Sequence, residues 1–594
     1  MEYGRLGKTE PNDGSPSLAF TTATNRTPKK SKLRILLALA AALLLTSAAA
    51  AAAVAVLRKR NGAEDGGVRL HSRRPSQAMA RACGRTRFPN LCVESLLDFP
   101  GAAAASERDL VHISVNVTLQ KVGRALYSAS EISNLDMDPH VRSAYEDCIE
   151  LLDDSVDLLS RSLTSVAGGG GSTQDVLTWL SASLTNHDTC TEGFDQLNGY
   201  VKAQMSDRLK DLSELVSNCL AIYAAAGGNS DFSGVPIQNR RRRRLLSKEK
   251  DKNVVHQFPT WLSRWDRMLL DAPASAMNPD VIVSGDGNGT CKTITEAIKK
   301  APVNGTRRFI IYVKAGRYVE DILKVGRKKT NVMIFGDGKG KTVISGSKSI
   351  QDNMTTFHTA TFAATGAGFI ARDLTFENSA GPAKHQAVAL RVGADHAVIY
   401  RCNVIGYQDT LYAHSQRQFY RECDVYGTVD FIFGNAAVVF QNCSIHARKP
   451  MPFQKNTITA QNRKDPNQNT GISIHACRVV AEYDLEAARG AYPTYLGRPW
   501  KLYSRVVYMQ SYVGDHVHPR GWLEWNATFA LDTLYYGEYM NYGPGGAVGQ
   551  RVNWPGYRVI TSVDEASKFT VAQFIFGSAW LPATGVAFLA GLTT

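Results

Sequence analysis

The sequence repeats one short pattern four times, as Arg401-Cys402-Asn403-Val404, Glu422-Cys423-Asp424-Val425, Asn442-Cys443-Ser444-Ile445 and Ala476-Cys477-Arg478-Val479. The cysteines of successive repeats are 21, 20 and 34 residues apart. A period near twenty residues, made of short strands, is typical of a parallel β-helix in which each repeat forms one coil. A β-sandwich is the alternative, but it would not space equivalent residues so regularly. We therefore predict a mainly β chain whose residues 258–594 form a right-handed parallel β-helix.

The strands of this domain are predicted from short β-branched and aromatic runs that Gly, Asn and Asp separate. They cover residues 309–313, 332–335, 369–376, 397–404, 418–425, 438–445 and 472–479. Helical periodicity is largely absent, apart from residues 293–300.

Two aspartates occupy equivalent positions in neighbouring repeats. Asp409 lies in Gly406-Tyr-Gln-Asp-Thr-Leu-Tyr412 and Asp430 in Gly427-Thr-Val-Asp-Phe-Ile-Phe-Gly434, 21 residues later. Residues one period apart stack on adjacent coils, with strands about 4.8 Å apart, so the two carboxylates should face each other. Like charges that close raise the pKa of one carboxyl and leave the other ionised, which supplies one acid and one nucleophile or base. Aspartates in turns often cap loops instead, but Gln386, Gln408 and Arg498-Pro-Trp500 are also available, so the pair predicts a catalytic site.

The part of the chain before residue 229 differs in the spacing of its apolar residues. Over residues 75–228, apolar residues recur at intervals of three and four, which predicts an all-α domain similar to a four-helix bundle. The clearest predicted helices cover residues 109–117, 141–163, 173–184 and 205–226. Cys83 and Cys92 are spaced to form a disulfide, Cys148 and Cys190 would join two longer helices, and Cys219 is left unpaired. Structural disulfides with one spare thiol per half of the chain fit an oxidising compartment.

An uncharged apolar segment at residues 35–57 predicts a membrane helix. Its 23 residues would extend ~34 Å, enough to cross a bilayer. The basic residues that precede it favour residues 1–34 as a cytoplasmic tail, although basic residues also follow it. The alternative is a signal peptide cleaved within residues 48–53. Both interpretations place the rest of the chain outside the cytosol, with residues 58–74 as a stem, and six glycosylation sequons agree with this: Asn116, Asn288, Asn304, Asn353, Asn442 and Asn526.

A basic linker over residues 229–257 separates the two predicted domains. It contains five consecutive arginines, of which Arg243 and Arg244 precede Leu245 and Leu246. Such a run is usually solvated, and a subtilisin-like protease could reach it. A nuclear-localisation function conflicts with the membrane segment. The net charge of +14 attracts polyanions in general and does not by itself favour nucleic acid over an acidic polysaccharide.

The motifs around the two aspartates resemble those of plant-type pectin methylesterases (pectinesterases, EC 3.1.1.11). The matching stretches are Gly406-Tyr-Gln-Asp-Thr-Leu-Tyr412, Arg417-Gln-Phe-Tyr-Arg421, Gly427-Thr-Val-Asp-Phe-Ile-Phe-Gly-Asn435, Tyr495-Leu-Gly-Arg-Pro-Trp500 and Phe569-Thr-Val through Trp580-Leu-Pro-Ala-Thr-Gly585. Residues 75–228 resemble the inhibitor domain that precedes the enzyme in two-domain members, and Arg243-Arg-Leu-Leu246 resembles the processing site between them. The resemblance implies hydrolysis of C6 methyl esters of homogalacturonan to carboxylates and methanol, and modification of the cell wall. The helical domain would act as an intramolecular inhibitor, and no nucleic acid would be a partner.

The resemblance also implies a role for each site residue. Asp430 would be the nucleophile that forms an acyl-enzyme, and Asp409 the proton donor and then the base. Gln408 and Gln386 would stabilise the oxyanion, and Arg498 would hold Asp430 ionised. Substrate contacts would come from Thr356 and Trp500 as well as from Gln386 and Arg498. The mechanism needs no cofactor and no metal.

The sequence leaves alternatives open for the function and for the later disulfides. A glycosidase or lyase could use the same fold, but no Gly-His-Gly motif or dense acidic cluster lies beside Asp409 or Asp430. A wall-binding protein with an inactive esterase fold is a second alternative. Among the later cysteines we favour a disulfide between Cys423 and Cys443, with Cys443 to Cys477 as the alternative, and expect Cys291 to be a free thiol.

Overall fold

A computed structural model describes residues 75–168, 170–226, 277–320 and 323–593. The predicted cytoplasmic tail, membrane segment and stem (residues 1–74) lie outside these ranges, as does the 229–257 linker with its arginines. Among the described residues, no helix combines the length and the apolar character needed to cross a bilayer.

The predicted all-α domain is present before residue 227. Its helices are α1 (Gln77–Cys83), α2 (Pro89–Leu97), α3 (Glu107–Ser130), α4 (Pro139–Val166), α5 (Thr173–Glu192), α6 (Tyr200–Arg208) and α7 (Leu212–Ala226). Ser106 and Ser172 begin α3 and α5 with capping boxes, because each hydroxyl accepts the N–H of an aspartate three residues later whose carboxylate accepts in return. The four long helices pack in a ring, with α3 against α4 and α7, and α5 against α4 and α7. This arrangement is a four-helix bundle.

Both predicted disulfides of this domain are present. Cys83 bonds to Cys92 and Cys148 to Cys190, with Cα atoms 5.6 and 4.4 Å apart. Cys219 is buried and unpaired, as predicted. The single helix predicted over residues 205–226 is wrong, since Asp211 has φ 62° and separates α6 from α7.

The second domain consists of three parallel sheets, each visited once per coil. Sheet 1 contains β1 (Val281–Val283), β2 (Phe309–Val313), β5 (Val332–Phe335), β8 (Ile370–Arg372), β11 (Ala397–Tyr400), β14 (Arg417–Arg421), β17 (Ala437–Gln441), β20 (Gly471–His475), β23 (Arg505–Met509), β25 (Tyr535–Tyr539) and β26 (Tyr557–Val559). Sheet 2 contains β3 (Gly316–Val319), β6 (Thr342–Gly346), β9 (Thr375–Asn378), β12 (Asn403–Ile405), β15 (Asp424–Gly427), β18 (Ser444–Ala447), β21 (Arg478–Ala481) and β24 (Tyr512–Val513). Sheet 3 contains β4 (Leu323–Val325), β7 (Phe362–Ala364), β10 (Leu390–Val392), β13 (Leu411–Ala413), β16 (Ile432–Gly434), β19 (Asn456–Gln461) and β22 (Thr494–Pro499). The parallel β-helix is therefore confirmed.

Short helices accompany the β-helix. They are α8 (Ile294–Lys300), α9 (Tyr483–Glu486), α10 (Val563–Ser567), α11 (Val571–Phe574) and α12 (Gly577–Trp580). The C-terminal segment covers the outer face of sheet 1, where Val398 and Phe419 pack with Phe569 and Phe574. Sheet 1 is thus buried on both faces, because Ile399 and its equivalents point into the β-helix core.

The repeated cysteine pattern marks a corner of the coil. Five predicted strands (369–376, 397–404, 418–425, 438–445 and 472–479) are each two strands, one in sheet 1 and one in sheet 2. The residue between them has positive φ, as at Arg401 (51°), Glu422 (54°) and Asn442 (54°). This left-handed conformation turns the chain sharply, which alternation of side chains alone does not predict.

The predicted disulfide between Cys423 and Cys443 is wrong, as is the alternative between Cys443 and Cys477. Cys402, Cys423, Cys443 and Cys477 are all buried free thiols, and Cys291 is free as expected. The four cysteines at 402, 423, 443 and 477 each follow a corner residue and are buried in the core of the β-helix. The Cys423 thiol donates to the carbonyls of Ile399 and Arg421, both at 3.3 Å, and forms no disulfide.

Candidate active site

Asp409 and Asp430 occupy the same position on neighbouring coils, as the 21-residue spacing predicts. Leu411 of β13 pairs with Ile432 of β16, and each aspartate lies two residues before its strand. Both have left-handed backbones, with φ of 60° and 52°, and the Asp409 N–H donates to the Val429 carbonyl at 3.0 Å. The two side chains therefore project from equivalent turns, which precede neighbouring strands of sheet 3.

Asp430 is held by strong hydrogen bonds. Arg498 Nε donates to Asp430 Oδ1 at 2.9 Å and Arg498 Nη2 to Oδ2 at 2.6 Å. The Thr457 hydroxyl also donates to Oδ1, at 2.6 Å. Charge-assisted bidentate bonds of this kind fix the orientation of a carboxylate and favour its ionised form.

Asp409 has the opposite surroundings. Burial raises the pKa of the Asp409 carboxyl well above its usual value, the Asp430 charge raises this pKa further, and the Arg498 charge offsets only part of the effect. These surroundings favour the protonated form of Asp409. Two adjacent carboxyl groups with different charges can supply one acid and one nucleophile.

The two glutamines lie beside this pair on adjacent coils. The Ala387 N–H, next to Gln386, donates to the Gln408 backbone carbonyl at 3.2 Å. Gln408 is buried, and within the described parts of the chain its side-chain Oε1 has no hydrogen-bond partner. Gln386 is partly exposed. Both glutamines thus lie, like the aspartates, in the turns that precede strands of sheet 3.

Aromatic side chains line the neighbouring surface of sheet 3. Tyr412 and Phe433 are register partners, with rings stacked 4.2 Å apart, and the Phe433 ring lies 6.0 Å from that of Trp500. The Arg498 guanidinium lies 4.3 Å above the Trp525 ring. Tyr412 and Phe433 are part of the motifs quoted above, and their 21-residue spacing could have identified them as neighbours. Trp525 and Thr457 were not predicted as site residues; Thr457 follows Asp430 by 27 residues instead of 21.

Thr356 lies at a different edge of this surface. It begins a short 3-10 helix, Thr356–Thr359, and is partly exposed. Its neighbour Phe357 packs edge-on against Tyr412 with ring centroids 6.3 Å apart. Besides the aspartates, four predicted site residues therefore lie near the pair or its aromatic surface: Gln386, Gln408, Arg498 and Trp500. Thr356 is connected to this surface through Phe357.

Comparisons with known proteins agree with this geometry. The sequence profile of the Pectinesterase family matches residues 280–578. The profile described as Plant invertase/pectin methylesterase inhibitor matches residues 77–222. "Probable pectinesterase/pectinesterase inhibitor 34" of Arabidopsis thaliana is 70% identical over 524 residues, which cover 88% of this chain and 87% of the relative. The chain belongs to the pectinesterase family.

Two further similarities support the two-domain organisation of this pectinesterase. "Probable pectinesterase/pectinesterase inhibitor 61" of Arabidopsis thaliana is 66% identical over 527 residues, 88% of each chain. The solved structure titled "Pectin methylesterase from Carrot" is 55% identical with a TM-score of 0.53, and the match covers 54% of this chain and 100% of that one. The protein is thus a pectin methylesterase, a carboxylic ester hydrolase, with an N-terminal inhibitor-like domain. Because about half of this chain matches the entire carrot protein, the β-helix corresponds to a complete folded enzyme.

The inhibitor-like domain packs on the aromatic surface of sheet 3. The two domains belong to one unit of contacting residues. Tyr412, Phe433 and Ala460 share a buried apolar cluster with the bundle core, including Cys148 and Leu180. The surface beside the two aspartates is therefore covered in the full-length pectinesterase.

One face of α5 runs along the β-helix with polar contacts. The Asn435 amide donates to the Thr185 hydroxyl at 2.9 Å, and the Thr189 hydroxyl lies 2.9 Å from His414 Nε2. Two ion pairs follow one helical turn apart. They are Asp188 with Lys464, at 2.6 Å, and Glu192 with Lys501.

A second set of contacts joins α4 to the β-helix. Arg327 pairs with Asp154 at 2.7 Å, with Asp157 at 3.2 Å, and with Asp153. Burial raises the pKa of Asp154 to about 7, with the Glu150 charge as the next cause. Burial likewise raises the pKa of Glu192 to about 7, although Lys501 opposes it. The domain contact thus contains two carboxyls that titrate near neutral pH.

Proposed function

We propose that the β-helix hydrolyses the C6 methyl esters of homogalacturonan with Asp430 as the nucleophile and Asp409 as the acid and base. The observation that carries this proposal is the unequal surroundings of two carboxyls at equivalent positions of adjacent coils. The bidentate Arg498 contact favours an ionised Asp430. Burial and the Asp430 charge raise the pKa of Asp409, which favours its protonated form.

In the first half-reaction, a carboxylate oxygen of Asp430 attacks the ester carbonyl carbon and the carbonyl electron pair moves onto its oxygen. The amide N–H groups of Gln408 and Gln386 donate to this oxyanion. Losing one such donor typically costs at least ~10²-fold in rate. The C–OCH₃ bond then breaks, the departing oxygen takes the Asp409 proton, and methanol leaves behind an anhydride between Asp430 and the galacturonate.

In the second half-reaction, the ionised Asp409 removes a proton from water as the water oxygen attacks the galacturonate carbonyl carbon. The bond to Asp430 then breaks and returns its carboxylate. The product leaves as the free acid and ionises in solution, while Asp409 is protonated again. Both aspartates are thus restored, with one water consumed and one methanol released.

Substrate binding is assigned to the aromatic surface and the polar groups beside it. Trp500 offers a ring face to a sugar, and Arg498 and Gln386 lie next to the reacting carbonyl in this proposal. Thr356 would contact the chain at the far edge, beyond Phe357. The excess of positive charge favours a polyanionic polymer whose free carboxylates accumulate as the reaction proceeds.

The inhibitor-like domain is proposed to keep the enzyme inactive until it is removed. Its support is the burial of Tyr412 and Phe433 under the bundle and the α5 contacts to His414, Lys464 and Lys501. Tyr412 connects the domain contact to the aspartate pair. It forms a hydrogen bond with Thr189 of α5, and burial raises its pKa. The charges of Glu192 and Asp409 raise this pKa further, so both groups lie near the Tyr412 hydroxyl. A polymer could not reach the aromatic surface while α5 lies on it.

Removal of that domain is assigned to a subtilisin-like protease acting at Arg243, Arg244, Leu245 and Leu246. The chain would enter the secretory pathway through residues 35–57, as a type II anchor or a cleaved signal peptide, and act in the cell wall. Secretion would also expose its sequons to glycosylation. All these segments except the sequons lie outside the described residues, and the support is the sequence pattern.

The direct test is methanol release from highly methylesterified pectin, measured with the β-helix freed from the helical domain. We expect steady methanol production without loss of polymer viscosity, and at least a ~10³-fold loss in Asp430→Asn. Falling viscosity would instead indicate a glycosidase or lyase. Undiminished methanol release by Asp430→Asn would refute the assigned nucleophile.

A further inference from the structure

The two aspartates have different neighbours on their outer sides. Four residues share one position on four successive coils, in the order Val388, Asp409, Asp430 and Thr457. The strand registers that define this column are Leu390 with Leu411, Leu411 with Ile432, and Ile432 with Thr459. In this column Asp409 follows a valine and precedes Asp430, whereas Asp430 follows Asp409 and precedes a threonine whose hydroxyl contacts it.

Thr457 makes two hydrogen bonds with Asp430. Its Oγ1 accepts the Asp430 backbone N–H at 3.0 Å and donates to Asp430 Oδ1 at 2.6 Å. Because the incoming N–H occupies one side of the oxygen, the hydroxyl proton is directed at the carboxylate. The side chain of Thr457 is fully buried on β19, so it has no alternative partner in solvent.

We infer that Thr457 is a positioning residue that fixes the nucleophile Asp430 in its left-handed turn and keeps the negative charge of the aspartate pair on Asp430 rather than on Asp409. The inference rests on the proposed mechanism and adds the device that assigns the two roles. The Thr457 hydroxyl donates to the carboxylate of Asp430 and so stabilises its anion. Val388, which precedes Asp409 in the column, has no group that could donate to an Asp409 anion. The Thr457 hydroxyl thus adds to the Arg498 contact in giving two chemically identical residues different roles.

Other charged and titratable groups face the pair, and one of them, Arg498, also favours the anion on Asp430. Arg498 contacts Asp430 and also acts on Asp409 through its charge. Tyr412 and Tyr536 are buried near the pair, and burial raises the pKa of both. Glu192 reaches Tyr412 from the helical domain and is absent from the freed β-helix. Thr457 is therefore the group that a substitution can remove while leaving Arg498 and both aspartates in place.

The test compares Thr457→Val with Thr457→Ser in the freed β-helix, by measuring kcat and KM for methanol release across pH. Valine matches the shape and removes the donor, whereas serine keeps it. A hydrogen bond to a charged group corresponds to a shift of about one to two pH units. Since Asp430 must be ionised, we expect the acidic limb of the Thr457→Val kcat profile to move upward by that amount. KM should stay within about twofold, and Thr457→Ser should follow the wild type.

A second variant tests the other outer side of the column. Val388→Thr introduces a hydroxyl at the column position before Asp409, which should favour the Asp409 anion and move the basic limb of the profile to lower pH. Superimposable pH profiles for Thr457→Val and wild type, or an unmoved basic limb in Val388→Thr, would overturn the inference. If Thr457→Val does not fold, the Val388→Thr profile decides alone. Failure of the proposed mechanism is recognised separately, by an Asp430→Asn enzyme that retains activity.

Discussion

Replacing Arg327 with methionine should weaken the hold of the helical domain on the β-helix. Arg327 pairs with three α4 carboxylates, those of Asp153, Asp154 and Asp157, and its side chain is 22% exposed. Partly exposed ion pairs contribute about 0.2–1 kcal/mol each, so three lost pairs sum to about 2 kcal/mol. That difference corresponds to about a 30-fold higher Kd between the two parts.

The assay uses protein cleaved in the 229–257 linker, where the two parts are no longer tethered. Diluting the cleaved protein lets the helical domain dissociate, so the concentration at which methanol release recovers reports the Kd. We expect this concentration to rise about 30-fold in Arg327→Met. The matched control is Arg317→Met, because Arg317 pairs with Glu377 within the β-helix. A Kd within twofold of wild type for Arg327→Met, or an equal rise in Arg317→Met, would refute the assigned contact.

Two further outcomes follow from the same contacts and from the free thiols. When the helical domain is bound to the β-helix, the pKa values of Asp154 and Glu192 are about 7, above their ordinary values. The bound state therefore takes up more protons than the dissociated state. The helical domain should therefore bind the β-helix most tightly in mildly acidic solution, and its Kd should rise as pH increases through 7. The same dilution assay at pH 5.5 and 8 checks this. A lower Kd at pH 8 than at pH 5.5 would contradict the expectation. Reducing agent should lower the thermal stability of the helical domain, whose two disulfides contribute about 2–4 kcal/mol each. It should leave the β-helix transition unchanged in calorimetry, and a shifted β-helix Tm would show that a disulfide forms there after all.

The relation between the two aspartates could be predicted because a solenoid converts sequence spacing into spatial position. Once the cysteine pattern gave a period near 21, Asp409 and Asp430 had to meet on adjacent coils. The helices of the N-terminal domain could also be predicted from the sequence, since capping serines and the three-to-four periodicity of apolar residues are local signals. Its disulfides connect helices that the same periodicity defines.

Other features depend on information that the spacing does not contain. The corner residues of the five divided strands adopt positive φ although none of them is glycine, so the sequence predicted one strand where the structure has two. Thr457 lies 27 residues after Asp430 because residues 448–455 lengthen that coil, and a fixed period therefore missed it. The packing of α5 on sheet 3 depends on shape and charge between two separate domains, which no periodicity within either domain reveals.

In the proposed mechanism Asp430 attacks the ester and Asp409 transfers the proton. Single-turnover kinetics on an aryl ester of oligogalacturonate, whose phenolate leaves without protonation, test these two roles most directly. The freed β-helix carrying Asp409→Asn should release about one equivalent of phenol per site and then stop, because acylation proceeds but no base activates water. Asp430→Asn should release none. A burst from Asp430→Asn, or no burst from Asp409→Asn when the wild type turns over, would contradict the assignment.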